Sequence, residues 1–290
     1  MAIKIETKDP GASGVRESVE RYKRMFPDFA QAVSLYGAVM EVQQEAISET
    51  RCTADFSGLD IEQSLRRGNP LLQPADLTIP PAEYRSVVSG VCSAFECEGA
   101  AGSIGCRELL EWDGLGEERF VDTRDRLLAG ESLDLNYAGE DVIDAGLVTG
   151  VLWESLVPFY RRCAGELQGG IDHSLWQKGH CPICGTGPLM GEFRQKDGLW
   201  LLECRLCHTL WNVQRASCPF CSQGIEGSME YLYLEDYASY RAYYCRSCGL
   251  YVKNVDLRAA QRDAVLPLDN IVSEMIGLDR AAEREGLKPA

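Results

Sequence analysis

Positive charge is in short supply in this chain of 290 residues: 29 Lys and Arg stand against 44 Asp and Glu, a formal net charge of −15. So acidic a protein has no basic stripe with which to coat phosphates, which argues against nucleic acid as a partner. Long apolar runs are also missing. The longest, Ala145 to Tyr160, is interrupted by Glu154 and is too short to cross a bilayer, so no membrane insertion is expected. The opening residues, Met1-Ala-Ile-Lys-Ile-Glu-Thr-Lys-Asp9, mix charges and lack the apolar centre of a signal peptide, so a cytoplasmic address is the expectation. Histidine occurs only three times. There is no phosphate loop, nucleotide fingerprint or nucleophile elbow, and no Glu-x-x-His pairing picks a catalytic pair out of the many carboxylates. The chain reads as a protein that is not an enzyme.

Cysteine is what the chain has in quantity, thirteen residues of it. Eight form four Cys-x-x-Cys doublets: Cys181/Cys184, Cys204/Cys207, Cys218/Cys221 and Cys245/Cys248. Two sulfurs at this spacing can turn toward one cation, and two doublets complete a tetrahedral shell of four sulfurs. The spacing, the odd total and the missing export signal favour metal-bound thiolates over disulfides. The doublets form two copies of one unit, each opening with Cys-Pro-x-Cys and closing with Cys-Arg-x-Cys. The offsets are 37 residues from Cys181 to Cys218 and 41 from Cys204 to Cys245. Pairing within each copy closes the shortest loops, so Cys181, Cys184, Cys204 and Cys207 are expected to hold one metal ion, and Cys218, Cys221, Cys245 and Cys248 a second. The proline preorganises the opening turn of each copy, and the glycine after Cys184 or Cys248 suits a left-handed backbone. Four-sulfur tetrahedral geometry accepts zinc or a rubredoxin-type iron equally.

The rest of the chain divides by pattern. Residues 1–172 carry 16 Lys and Arg against 30 Asp and Glu and read as an acidic helical domain. Pro27 opens one apolar stripe (Phe29, Val33, Tyr36, Met40, Ile47) and Pro81 another (Tyr84, Val87, Val88, Val91, Phe95). Further helices are expected over 117–129 and 140–167, the latter kinked or split at Pro158, with a loop over 97–105. A Gly-Gly boundary precedes two small β modules, 173–215 and 216–258, and a helical tail over 259–290. The fold class expected is multidomain α plus small β: an N-terminal helical bundle, two rubredoxin-like or zinc-ribbon modules and a short C-terminal helix. The strands between doublets are too short to bury a core alone, so metal should supply their folding energy. The unpaired cysteines Cys52, Cys92, Cys97, Cys106 and Cys163 read as buried inert thiols. His180 and His208 read as second-shell or exposed, and His173 has no evident partner.

The chain resembles the formate dehydrogenase accessory proteins of the FdhE type. The resemblance runs through Trp176-x-x-Gly179-x-Cys181-Pro-Ile-Cys184-Gly, the four doublets, Tyr251-Val-Lys253, Pro267-Leu-Asp269, Leu278-Asp279 and the Ala282-Glu-x-Glu-Gly286 tail. Upstream, Gly68-Asn-Pro70-Leu-Leu is similar too, whereas Ser222 stands where the family has glycine. The resemblance implies a cytoplasmic maturation factor whose eight cysteines bind iron in two rubredoxin-like modules. It also implies a partner, the catalytic subunit of a molybdenum- or tungsten-dependent formate dehydrogenase. Two other classes fit the doublets alone: a zinc-ribbon module for nucleic acid or a transcription complex, and a rubredoxin-like electron carrier.

Overall fold

A computed structural model of the chain describes residues 11–50, 53–97, 106–133, 144–215, 217–222 and 229–290, with residues 5 and 135. Helices come first: α1 (Gly11–Met25), α2 (Ala30–Glu49), α3 (Ile61–Arg67), α4 (Pro81–Cys97), α5 (Cys106–Glu111), α6 (Phe120–Ala129) and α7 (Ala145–Leu167). Pro27 does not open α2 directly. It takes up a single 3-10 turn, Pro27–Phe29, after Phe26 in an extended-type conformation, and α2 follows at Ala30. The stripe on α4 is buried at Tyr84, Val87, Val88 and Val91 as its spacing requires. Helix α3 begins at an Asp60 cap and ends at Gly68 in the left-handed region. Neither α3 nor α1 carries a long enough apolar stripe to be evident in the sequence.

Helix α7 runs unbroken through Pro158. A proline there cannot donate to the carbonyl of Glu154, four residues earlier. Gln43 of α2 supplies the missing donor, its Nε2 lying 3.0 Å from that carbonyl and 2.7 Å from the Glu154 carboxylate. A buried cross-helix bond thus replaces the intrahelical one. Asp144 caps the start of α7 by accepting from Gly146 and Leu147. The expected helical residues 140–143 and the loop residues 98–105 lie outside the described residues.

The second half forms one sheet. Its strands are β1 (Pro188–Phe193), β2 (Trp200–Cys204), β3 (Leu210–Val213), β4 (Met229–Tyr233), β5 (Tyr240–Cys245), β6 (Leu250–Asp256) and the short β7 (Lys288–Pro289). The order is β3-β2-β1-β6-β5-β4, with β7 beside β6. Each copy of the cysteine unit supplies an antiparallel three-stranded ribbon, and the two are joined by a parallel pairing of β1 with β6, Gly191 opposite Asn254. The strands of the two expected modules are therefore continuous. Trp200 Nε1 reaches across the seam to Asn254 Oδ1 at 2.9 Å.

Side chains alternate across the sheet, and each face buries its own cluster. One face contributes Trp200, Leu202, Trp211 and Val252 to the main core, shared with α4, α6 and α7. The other contributes Met190, Tyr240, Ala242, Tyr251 and Val255 to a second core with α1, α2, α9 (Leu266–Met275) and α10 (Leu278–Arg284). The short α8 (Leu257–Ala260) links β6 to this layer. The sheet is thus covered by helices on both faces.

Candidate metal centres

Each Cys-x-x-Cys doublet is a tight turn closed by one backbone bond. The amide after the second cysteine donates to the carbonyl of the first: Gly185 to Cys181 at 3.0 Å, His208 to Cys204 at 3.2 Å, Ser222 to Cys218 at 2.9 Å and Gly249 to Cys245 at 2.8 Å. That closing residue is left-handed in all four, with φ of 74° at Gly185 and 70° at Gly249. His208 and Ser222 adopt the same region, at 55° and 56°, although they carry a Cβ. The turn also aims amides at sulfur. Ile183 N lies 3.3 Å from Cys181 Sγ, Leu206 N 3.4 Å from Cys204 Sγ, and Phe220 N 3.4 Å from Cys218 Sγ. Such donors offset thiolate charge.

The turns meet in pairs within each copy. Cys181, Cys184, Cys204 and Cys207 bring four sulfurs within 4.8 Å of one another, and so do Cys218, Cys221, Cys245 and Cys248. A tetrahedral cation with 2.3 Å metal–sulfur bonds sets its sulfurs about 3.8 Å apart. Contacts in the second cluster are 3.9 Å (Cys218–Cys248) and 3.8 Å (Cys221–Cys245). In the first they are 3.4–3.5 Å. Both fit one ion each, and sulfur alone does not choose between iron and zinc.

The two environments differ. In the first cluster, burial pushes the Cys181 and Cys204 thiols up, while at Cys184 hydrogen bonds from its three sulfur neighbours outweigh burial and pull the thiol down. In the second, burial raises Cys218 to about 12. Cys245 falls to about 7, because the amides of Cys248 and Ser247 and the neighbouring thiols outweigh its burial. Cys184 also lines a cleft of about 670 Å³ between the first cluster and the helices, with Trp153, Tyr160, His180 and Arg205 in its walls.

The FdhE central domain matches residues 180–215. The chain is 23% identical over 269 residues to a protein named FdhE homolog from Aquifex aeolicus, covering 91% of this chain and 88% of that protein. The chain is thus similar to an FdhE homolog along most of its length. A protein named FdhE from Escherichia coli O1:K1 is 30% identical over 139 residues, which span 47% of this chain and 43% of that protein. The fold is shared with the crystal structure of the FdhE protein from Pseudomonas aeruginosa, at a TM-score of 0.65 and 22% identity over 98% of this chain and 95% of that one.

Most of the FdhE-like segments turn out to be contacts that hold the ribbons in place. Trp176 Nε1 donates to the carbonyl of His180, next to Cys181, at 2.8 Å, and Gly179 N donates to Pro219 O in the second copy at 2.8 Å. In Gly68-Asn-Pro70-Leu-Leu, the amides of Leu71 and Leu72 donate to Pro182 and Ile183 inside the first doublet, at 3.0 and 2.8 Å. Tyr251 and Lys253 each reach an oxygen of Asp279 at 2.7 Å, which links two further segments. Asp269 is fully buried and accepts from Tyr22 and Tyr240, both at 2.6 Å, with Arg262 paired to it.

His208 donates to or accepts from Glu203 at 2.6 Å, and His180 packs edge-on against Trp176. His173 is buried with Nδ1 unpartnered, and burial holds it at about 4. One polar group escaped the sequence reading: Glu154, raised by burial and bonded by Gln43 and Tyr36 at the helix–ribbon boundary. Only a search across elements finds it, since its partners lie 111 and 118 residues away. The reading of the remaining cysteines needs correction. Cys92 and Cys106 are buried thiols, but Cys97 is exposed at the end of α4, and Cys163 is disulfide-bonded in the core of α7. Spacing shows only local doublets and cannot show a bond made through folding. Cys52 lies outside the described residues.

Proposed function

We propose that this protein is a non-catalytic, cytoplasmic maturation factor that binds the catalytic subunit of a formate dehydrogenase and assists its assembly or activation. The observation that carries this reading is similarity to an FdhE homolog along 91% of the chain, joined to two complete four-cysteine clusters. In each, Cys181, Cys184, Cys204 and Cys207, or Cys218, Cys221, Cys245 and Cys248, would hold one metal ion, with iron favoured by the family resemblance. A cation held there supplies a closed shell, folding energy and, as iron, a one-electron couple. Four thiolates leave no open position of the kind catalytic zinc keeps for water. No helix among the described residues is long and apolar enough to cross a membrane.

Affinity purification of the tagged protein from anaerobically grown cells tests the reading; eluates without any formate dehydrogenase subunit would overturn it. Metal content and the visible spectrum of protein purified without oxygen test the cofactor. Iron–thiolate charge-transfer bands are expected, and a colourless protein with two zinc ions refutes iron.

A further inference from the structure

Strand β4 ends the sheet, and among the described residues nothing pairs with its outer edge. Natural edge strands are blunted by lysine, proline, bulges or a covering element. The sequence of β4, Met-Glu-Tyr-Leu-Tyr, contains none of these residues. Its one charge, Glu230, is already held by Arg246 and Tyr244, both at 2.6 Å, on the side facing α10. The opposite side presents Tyr231 and Tyr233, 46% and 51% exposed. Their rings are 6.0 Å apart, and Tyr231 lies 5.3 Å from Tyr243, which in turn packs edge-on to Phe193 at 5.2 Å. Tyrosines fixed in this way offer contact area at low entropic cost.

Three arginines lie along this face of the sheet, and the exposed carboxylates of Glu235 and Asp236 follow Tyr233 at the end of β4. Arg241 stacks over Tyr231 at 4.6 Å, and Arg215 and Arg258 stack over Phe193 at 4.0 and 5.4 Å. Among the described residues only Arg258 of the three has a carboxylate partner, Asp256 at 2.7 Å, while Arg241 and Arg215 bond to a tyrosine hydroxyl and backbone carbonyls.

We propose that the free edge of β4, with Tyr231, Tyr233 and the Arg241 guanidinium stacked on Tyr231, docks an extended acidic segment of a partner protein as an additional strand. Main-chain bonds to the edge supply affinity, and a carboxylate on the segment meets Arg241. A peptide is favoured over a nucleic acid because an open strand edge offers alternating N–H and C=O groups. This places a surface on the client-binding reading above and rests on that reading only for the identity of the client.

The test uses the full metal-loaded protein and a fluorescein-labelled peptide, Thr-Glu-Val-Glu-Val-Glu-Thr, followed by anisotropy. Saturable binding is expected, weakened at least about tenfold in the Arg241→Glu variant and about as much by N-methylation of alternate peptide amides. Circular dichroism and metal content establish that the variant is folded, and the N-methylated peptide needs no variant at all. Equal binding of the lysine counterpart, indifference to N-methylation, or displacement by a tighter-binding oligothymidine would each overturn the proposal. If the peptide fails while the purification recovers a dehydrogenase subunit, the docking surface falls and the client stands. Peptide binding with an empty purification has the reverse meaning.

Discussion

Replacing one ligand in each cluster should have unequal consequences. Consider Cys204→Ser and Cys248→Ser. A structural four-ligand site contributes on the order of 10 kcal/mol of metal-linked folding energy, which is comparable with the whole stability of a typical domain. In the first cluster that energy is tied to the rest of the molecule. Ile183 and Leu206, from its two turns, are buried in the main core, and the Leu71 and Leu72 amides bond to the Cys181–Cys184 turn. In the second cluster Cys221 and Cys248 are half-buried, and Ser222, which follows Cys221, is exposed. Cys204→Ser should therefore abolish cooperative unfolding of ribbons and helices together, while Cys248→Ser should open the second pair of turns locally. Urea unfolding followed by tryptophan fluorescence reads the first effect, since Trp176 and Trp211 are buried beside the first cluster. Mass spectrometry of the native protein counts the metal retained. Equal shifts in the two variants, or an unchanged midpoint for Cys204→Ser, would refute the assignment of the first cluster as the keystone.

Three other outcomes follow from particular residues. Gly249→Ala meets open space, so its cost should be the left-handed backbone penalty alone, about 1–2 kcal/mol; Gly185→Ala should cost more, because its Cβ would sit 3.0 Å from Pro70, and denaturant midpoints compare the two. His173 is held at about 4 by burial, below its ordinary 6.5, so the unfolded chain takes up the proton first. Its contribution is complete above pH 6.5 and is lost as pH falls toward 4, by up to about 3 kcal/mol, and His173→Phe should flatten that part of the stability profile. Asp269→Ala leaves two buried tyrosine hydroxyls and a largely buried arginine without their acceptor and should cost about 3–5 kcal/mol in thermal or urea unfolding.

The gathering of the eight sulfurs was legible because each doublet is one local turn, and its spacing states its geometry. The same logic anticipated left-handed closure at Gly185 and Gly249, though not that His208 and Ser222 would adopt it too. Helices α2, α4 and α7 were legible from their stripes, whereas α1 and α3 were not. Joining the two ribbons through β1 and β6 left no trace in the sequence, because parallel pairing between distant strands is set by tertiary packing. Pro158 misled for a related reason. Its disruptive effect is real, but Gln43, 111 residues from Glu154, offsets it.

The bond between Tyr22 and Asp269 spans 247 residues of chain. During synthesis, α1 therefore emerges early yet must wait for α9 before its buried tyrosine finds an acceptor, and β1 must likewise wait for β6. Nascent chains of this protein should stay protease-sensitive until almost all of it has left the ribosome, then close in one late step.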